Sequence, residues 1–322
     1  MDAFSPAAAV RARRPTAIYW TSVTCVAALI GVPAWMMAAN PAVLGGHPLL
    51  PGLLIAAAVA GVFWAVRLWR RRDTRRPRTV PRAVGAWSGR IAVLALVATL
   101  AWLNPFTYQP GAAAEAGPRS DLTVTETTTA ITMTPDGPAP AKGLVFYPGA
   151  RVDARAYQDI LAPAVGAGCR VVILKEPLGL SLLDASQARS AMADNPDITT
   201  WAVGGHSLGG VAASSFAQDN TDVSGLLLYA SYPLDSLRGR QGLEVLSVSG
   251  TKDGLSTPAK IDASADLLPA DAEFTAVQGG VHAFFGDYGA QPGDGEPGIS
   301  REAAQEQIAD ATVAFLDRLQ RG

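Results

Sequence analysis

The sequence predicts an α/β domain, a mostly parallel sheet covered by helices on both faces, preceded by transmembrane helices. Three observations predict it. Charge is segregated along the chain: residues 1–114 carry 12 arginines against Asp2 and Asp73, a net of +10, while residues 115–322 carry 14 basic against 26 acidic side chains, a net of −12. From residue 121 onward, short apolar runs alternate with helical patterns, as in a parallel sheet with crossover helices. Finally, the pentapeptide Gly205-His206-Ser207-Leu208-Gly209 stands between a strand-like run and a small-residue helical stretch.

The first third reads as a membrane anchor, residues 1–108. No Asp, Glu, Lys or Arg occurs from Pro15 to Val66, a run well beyond the roughly 20 apolar residues that one helical span needs. It is too long for a cleaved leader and is followed by further apolar segments. Turn formers and breakers cluster from Asn40 to Pro48, dividing the run into spans at 16–39 and 49–69. A third uncharged block, 91–108, ends in Asn104-Pro105 and an aromatic pair suited to a membrane interface. Arg11, Arg13 and Arg14 precede the first span and nine arginines run from Arg67, at the end of the second, to Arg90, just before the third, whereas the loop between the first two has none. Positive residues stay in the cytoplasm. Three spans therefore place the N-terminus inside and the following domain outside, in a multi-pass cell-membrane protein; two spans would leave the domain in the cytoplasm. Topology accounts for the arginines and no aromatic-basic platform accompanies them, so the expected partner is the lipid bilayer and not nucleic acid. Cys25 and Cys169 fall in different segments, and no disulfide is expected between them.

Residues 109–120, rich in Gly, Ala and Pro, read as a linker to a domain over 121–322. Thr-rich 122–133 predicts one or two antiparallel strands closed by the turn Thr134-Pro135-Asp136-Gly137. Strands are then expected at 144–147, 170–174, 200–203, 226–229, 245–248 and 273–277, with helices at 153–165, 185–193, 210–216, 258–268 and 301–321. About 200 residues suffice for one such core.

The pentapeptide has the form of a nucleophile elbow. A serine held on a sharp strand-to-helix turn needs glycines two positions away on each side, so that backbone passes without a Cβ clash. Ser207 is then the candidate nucleophile. The N–H of Leu208, at the positive end of the helix that follows, is a candidate oxyanion donor. The base follows by elimination among three histidines: His47 lies between spans and His206 is expected to face away from the cleft, leaving His282, after the last strand. The candidate acid is Asp253, at the end of the preceding strand, where a carboxylate accepting Nδ1–H would fix the imidazole tautomer. Asp235 is its rival. A second oxyanion donor is expected from the loop after Tyr147, with Ala150 N–H chosen and Gly149 shaping the path. In the same loop Asp153 is expected to cap a helix and Arg151 to be solvated.

The stretch Val145-Phe146-Tyr147-Pro148-Gly149, with Val152-Asp153 and Ala156-Tyr157, together with Ser207, Asp253 and His282, resembles the α/β-hydrolase superfamily, in particular the small hydrolases near dienelactone hydrolases. The resemblance covers about residues 120–322 and implies the α/β-hydrolase fold with an eight-stranded, mostly parallel sheet, and hydrolysis through an acyl-enzyme; no cofactor or metal is expected. Dienelactone hydrolases proper use a cysteine nucleophile where this chain has Ser207, so their substrate does not carry over.

The connections 176–199 and 231–242 are too short for a separate lid domain, which predicts an open cleft. Loop 287–298 follows His282 and is expected beside the site as a structural loop; its acidic spacing does not match an EF-hand. The expected activity is hydrolysis of small-molecule carboxylic esters. The alternatives are acyl transfer to an envelope acceptor, distinguished by product partition, and a non-catalytic binding module, distinguished by failure to react with a fluorophosphonate.

Overall fold

The computed structural model describes residues 17–70, 80–111 and 121–319. Arg11, Arg13, Arg14 and most of the expected linker lie outside the described residues. The chain divides into two compact units, Met1–Met36 with Leu53–Trp102, and Met37–Gly52 with Leu103–Gly322.

The first unit is built from α1 (Ala17–Ala39), α3 (Leu49–Arg70) and α4 (Val80–Trp102); the short α2 (Pro41–Gly45) belongs to the second. The three long helices have mean hydropathies of 1.8, 2.3 and 1.7, and each is long and apolar enough to cross a membrane. Where α1 meets α3 the helices approach closely, because a Cβ on Gly61 would lie 2.8 Å from Ile30 Cγ1. The third helix differs from the expected 91–108. Pro81 is tolerated in its first turn and no breaker follows until Asn104-Pro105, so it begins at Val80 and stops at Trp102. Arg82 and Arg90 therefore lie on this helix and not in the preceding loop. Arg90 is buried, bonding Ser22 Oγ and Ala86 O, with Ile18 O at 3.3 Å.

The second unit is organised around an eight-stranded sheet. Its strands are β1 (Leu122–Glu126), β2 (Ala130–Pro135), β3 (Lys142–Tyr147), β4 (Cys169–Leu174), β5 (Thr200–His206), β6 (Val223–Tyr229), β7 (Glu244–Gly250) and β8 (Glu273–Val277), in the order β1-β2-β4-β3-β5-β6-β7-β8. Pairing is antiparallel for β1–β2 and β2–β4 and parallel elsewhere. This is the α/β-hydrolase fold. The helices are α5 (Gln158–Gly166), α6 (Gln187–Ala193), α7 (Leu208–Asp219), α8 (Pro258–Ser264) and α9 (Arg301–Arg318). Two apolar cores follow from the two faces. One includes Ile160, Leu161, Ile308 and Phe315 from α5 and α9; the other includes Ala188, Met192, Ala213 and Phe216 from α6 and α7.

After β3 the chain moves outward to β4, then returns to place β5 on the other side of β3. The carboxyl ends of β3 and β5 are thus neighbours, Tyr147 opposite Gly205, and this is the switch point of the strand order, the place where open α/β sheets carry their sites. The expected helix at 153–165 is instead a 3-10 turn, Ala154–Tyr157, leading into α5.

The segment Met37–Gly52 packs within this second unit. Asn40 Nδ2 donates to Asn104 Oδ1 (3.0 Å) and Pro105 O (2.8 Å), while its Oδ1 accepts from Ala42 N and Thr107 Oγ1, both at 3.0 Å. Phe106 then pairs with the loop after β3, donating to Arg151 O (2.7 Å) and accepting from Asp153 N (3.0 Å).

Candidate active site

Ser207 sits between β5 and α7 at φ 53°, ψ −122°, a conformation that non-glycine residues adopt only when their surroundings enforce it. Its N–H donates to Tyr229 O at the end of β6 (2.9 Å), and its carbonyl accepts from Ser231 Oγ (2.6 Å). The flanking glycines are sterically required. A Cβ on Gly205 would lie 2.4 Å from Gly209 C, and one on Gly209 would lie 2.1 Å from Tyr147 O. The second clash shows how tightly the loop after β3 crosses the elbow. Arg151, Leu178 and Ala230 also have positive φ.

His282 is fully buried, in the loop after β8, and its Nδ1 lies 2.8 Å from Asp253 Oδ2. The second oxygen of Asp253 accepts from the N–H groups of Leu255 and Ser256, both at 2.7 Å. A carboxylate oxygen only accepts, so this contact holds the imidazole with Nδ1–H toward the acid. That leaves Nε2 as the free face: it is buried and has no hydrogen-bond partner among the described residues. Asp235, the rival acid, is exposed.

Of the two expected amide donors, Leu208 follows Ser207 directly and Ala150 lies in the loop after β3, two residues past the Pro148 carbonyl that faces Gly209. Neither Ala150 N nor Leu208 N meets an acceptor among the described residues. Gly149 N is committed elsewhere, donating to Tyr157 Oη at 2.8 Å. The Tyr157 hydroxyl is in turn 2.9 Å from His206 Nδ1. Since its oxygen accepts from Gly149, its proton goes to His206, which is therefore neutral at Nδ1. Burial, then the neighbouring His282, holds His206 well below the ordinary histidine range. His206 was expected to face away from the cleft; instead its ring lies 4.5 Å from that of His282 and stacks on Phe285. It is a wedge between the oxyanion loop and the base. Asp153 caps the following turn at Arg155 N (3.1 Å), and it also pairs with the Arg155 guanidinium at 2.6 Å. Arg151 stacks on Phe106 at 5.1 Å.

Sequence reasoning missed Asp294, in the loop after His282. Its Oδ1 accepts from Gly254 N (3.2 Å), His282 N (3.0 Å) and Gly295 N (2.7 Å), and its Oδ2 from Ala283 N (2.8 Å). One carboxylate thus ties the acid loop to the histidine loop. The available signal was the run of glycines around it: a Cβ on Gly254 would meet Gly293 O at 2.6 Å, and one on Gly295 would meet Lys252 O.

Residues 143–306 match the model of a family described as the alpha/beta hydrolase family. No curated protein matches the sequence significantly. Three solved structures are similar in fold. A predicted CIB-like hydrolase from Thermoplasma acidophilum is 17% identical, with a TM-score of 0.45 over 62% of this chain and 100% of that one. A dienelactone hydrolase-like promiscuous phosphotriesterase from metagenomic libraries is 17% identical, with a TM-score of 0.45 over 59% and 92%. Carboxyl esterase 2 from the mycorrhizal fungus Tuber melanosporum is 13% identical, with a TM-score of 0.45 over 66% and 90%.

Proposed function

The chain belongs to the alpha/beta hydrolase family, and from that membership we propose that it is a membrane-anchored serine hydrolase cleaving carboxylic esters through an acyl-enzyme on Ser207. The observation that carries this reading is the asymmetry of His282, with one ring nitrogen held by Asp253 and the other buried and unpartnered.

His282 Nε2 takes the Ser207 proton as Oγ attacks the ester carbonyl. Asp253 stabilises the imidazolium without itself taking the proton. The oxyanion forms between Ala150 N–H and Leu208 N–H, where loss of one donor costs about 2.7–4 kcal/mol of barrier. The alkoxide leaves with the proton from His282, and water then releases the acid by the same steps in reverse. This chemistry uses no metal and no cofactor.

The three apolar helices are the anchor, and the arginines between the second and third fix the orientation. An N-terminus inside puts the hydrolase domain outside the cytoplasm. The docking of Asn40 on Asn104, Pro105 and Thr107 supports this, because it requires the ends of α1 and α4 to share a side.

Mixing the purified full chain with p-nitrophenyl acetate and quenching within the burst should give an acetylated peptide containing Ser207 by mass spectrometry. Ser207→Ala should remove the adduct and lower turnover by roughly 10⁴-fold or more. Turnover surviving in that variant would reject the assigned nucleophile.

A further inference from the structure

The chain leaves α4 at Trp102 and runs next across two loops of the candidate site. Residues 103–109, expected as the end of the third span and the start of the linker, pack within the hydrolase unit. Near one end Phe106 forms an isolated parallel bridge with Val152, giving its N–H to Arg151 O (2.7 Å) and accepting from Asp153 N (3.0 Å). At the other end Gln109 N donates to Asp287 O (2.8 Å), in the loop after His282. The Phe106 ring touches both loops. The Arg151 guanidinium lies over it at 5.1 Å, and Tyr288 packs on it at 5.9 Å while the Tyr288 hydroxyl reaches toward His282 O (3.5 Å). Between these contacts Thr107 Oγ1 donates to Asn40 Oδ1 (3.0 Å) and Tyr108 Oη to Asp159 Oδ2 (3.2 Å).

This strap bears on the Ala150 amide through the residue that follows it. Val152 N donates to Gly149 O (2.9 Å), and in a planar trans peptide the Ala150 N–H then points the opposite way, where it meets no acceptor among the described residues. Gly149 N is itself held by Tyr157 Oη (2.8 Å). Arg151, next in the chain, has φ 60°, a left-handed conformation that persists only where the surroundings enforce it. Gly179 O holds its N–H (2.6 Å), and Phe106 holds both its carbonyl and its guanidinium. The strained neighbour of the oxyanion donor is thus restrained by Phe106 from two sides.

We infer that the strap 103–109 is a positioning element of the catalytic site, with Phe106 its positioning residue. It fixes the spacing between the loop that carries the Ala150 N–H and the loop that carries His282. This rests on the hydrolase reading above, and it makes the segment leaving the third apolar helix a part of that machinery. The oxyanion and the base are served in the same step, so a shift of one loop against the other slows the reaction without loosening the bound substrate.

The test uses the full chain in phosphatidylcholine nanodiscs, with p-nitrophenyl acetate as substrate and active sites counted by fluorophosphonate titration. Phe106→Ala removes the ring and keeps the main chain; kcat per site should fall about tenfold with KM little changed, since a misplacement near 1 Å costs up to about 100-fold. A trifluoromethyl ketone, whose carbonyl carbon Ser207 Oγ attacks while His282 takes the proton, leaves its oxyanion in the hole and should bind more weakly by the same factor. A merely structural loss would lower the melting temperature and spare both. Phe106→Tyr keeps the ring and should recover most of the rate. Gln109→Pro deletes the N–H given to Asp287 O at the far end and should lower kcat in the same direction; it decides if circular dichroism shows Phe106→Ala unfolded. Wild-type kcat and inhibitor binding in the folded variants, or a change in KM alone, overturn the inference. Amide exchange reports apart from the chemistry: peptide 149–156 should exchange faster in Phe106→Ala than in wild type. Unchanged exchange removes the strap's hold on the loop, and faster exchange with wild-type kcat removes its part in the reaction. A wild type that neither labels nor turns over sinks the hydrolase reading, and exchange alone then decides whether the strap holds the loop.

Discussion

Two carboxylates divide the work of holding His282. Asp253 grips the ring at Nδ1, and Asp294 grips the backbone on both sides of it while reaching across to Gly254. Asp294→Asn replaces one acceptor by a donor facing N–H groups, so the histidine loop shifts although no proposed reacting group is touched. Displacements near 1 Å cost up to about 100-fold, so kcat on p-nitrophenyl esters should fall roughly ten- to hundredfold with KM little changed. Steady-state kinetics that showed only a KM effect would remove Asp294 from this role. Glu176 makes a second prediction, in stability. Its folded value is raised above its ordinary 4.5, so above about pH 4.5 the unfolded chain releases a proton that the folded chain retains, and stability falls as pH rises. Glu176→Gln lacks this liability. Its advantage over wild type in chemical denaturation should widen above pH 4.5 by up to ~1.4 kcal/mol per pH unit, until Glu176 itself ionises in the fold; a constant difference would contradict a protonated buried acid.

The elements around the site depend on close backbone passages more than on side-chain bulk. Because Gly209 lies against Tyr147 O and Pro148 O, Gly209→Ala must push the β3 loop away from the elbow and should abolish acyl-enzyme formation. Tyr157→Phe is milder. It strands Gly149 N–H and His206 Nδ1, and an unsatisfied buried polar group typically costs about 1–3 kcal/mol, which urea titration would measure. Much at this scale was legible in the sequence. The sharp turn at Ser207, the pairing of Asp253 with His282 and the alternation of strands all follow from local patterns, and β8 is found where Glu273–Val277 predicts it. The start of α4 was not, because its arginines marked a loop in a reading by charge alone, whereas Arg90 is absorbed by polar partners on α1. Asp294 and His206 escaped for a different reason. Their roles arise from tertiary contacts between loops, and an isolated aspartate among glycines or a histidine inside a motif carries no local sign of its partners.

At the scale of the molecule, the notable economy is that the loop between the first two apolar helices is also a wall of the hydrolase unit. Nothing in the composition of Asn40–Pro48 announces this; its turn formers serve a reversal between spans equally well. Once folded, Asn40 satisfies its amide on residues 104–107, just after α4, and so ties the third helix's exit to the first helix's end. In the proposed topology, with three crossings and the arginine-rich segment inside, the elbow and the α1–α3 loop both belong to the outer face. The most direct measurement is labelling of intact cells with a membrane-impermeant fluorophosphonate, alongside lysed cells and a Ser207→Ala control. The account predicts labelling of wild type in intact cells, no gain on lysis, and none in Ser207→Ala. Labelling that appears only after lysis would contradict the outward domain, and a folded wild type that never labels would contradict the serine hydrolase itself.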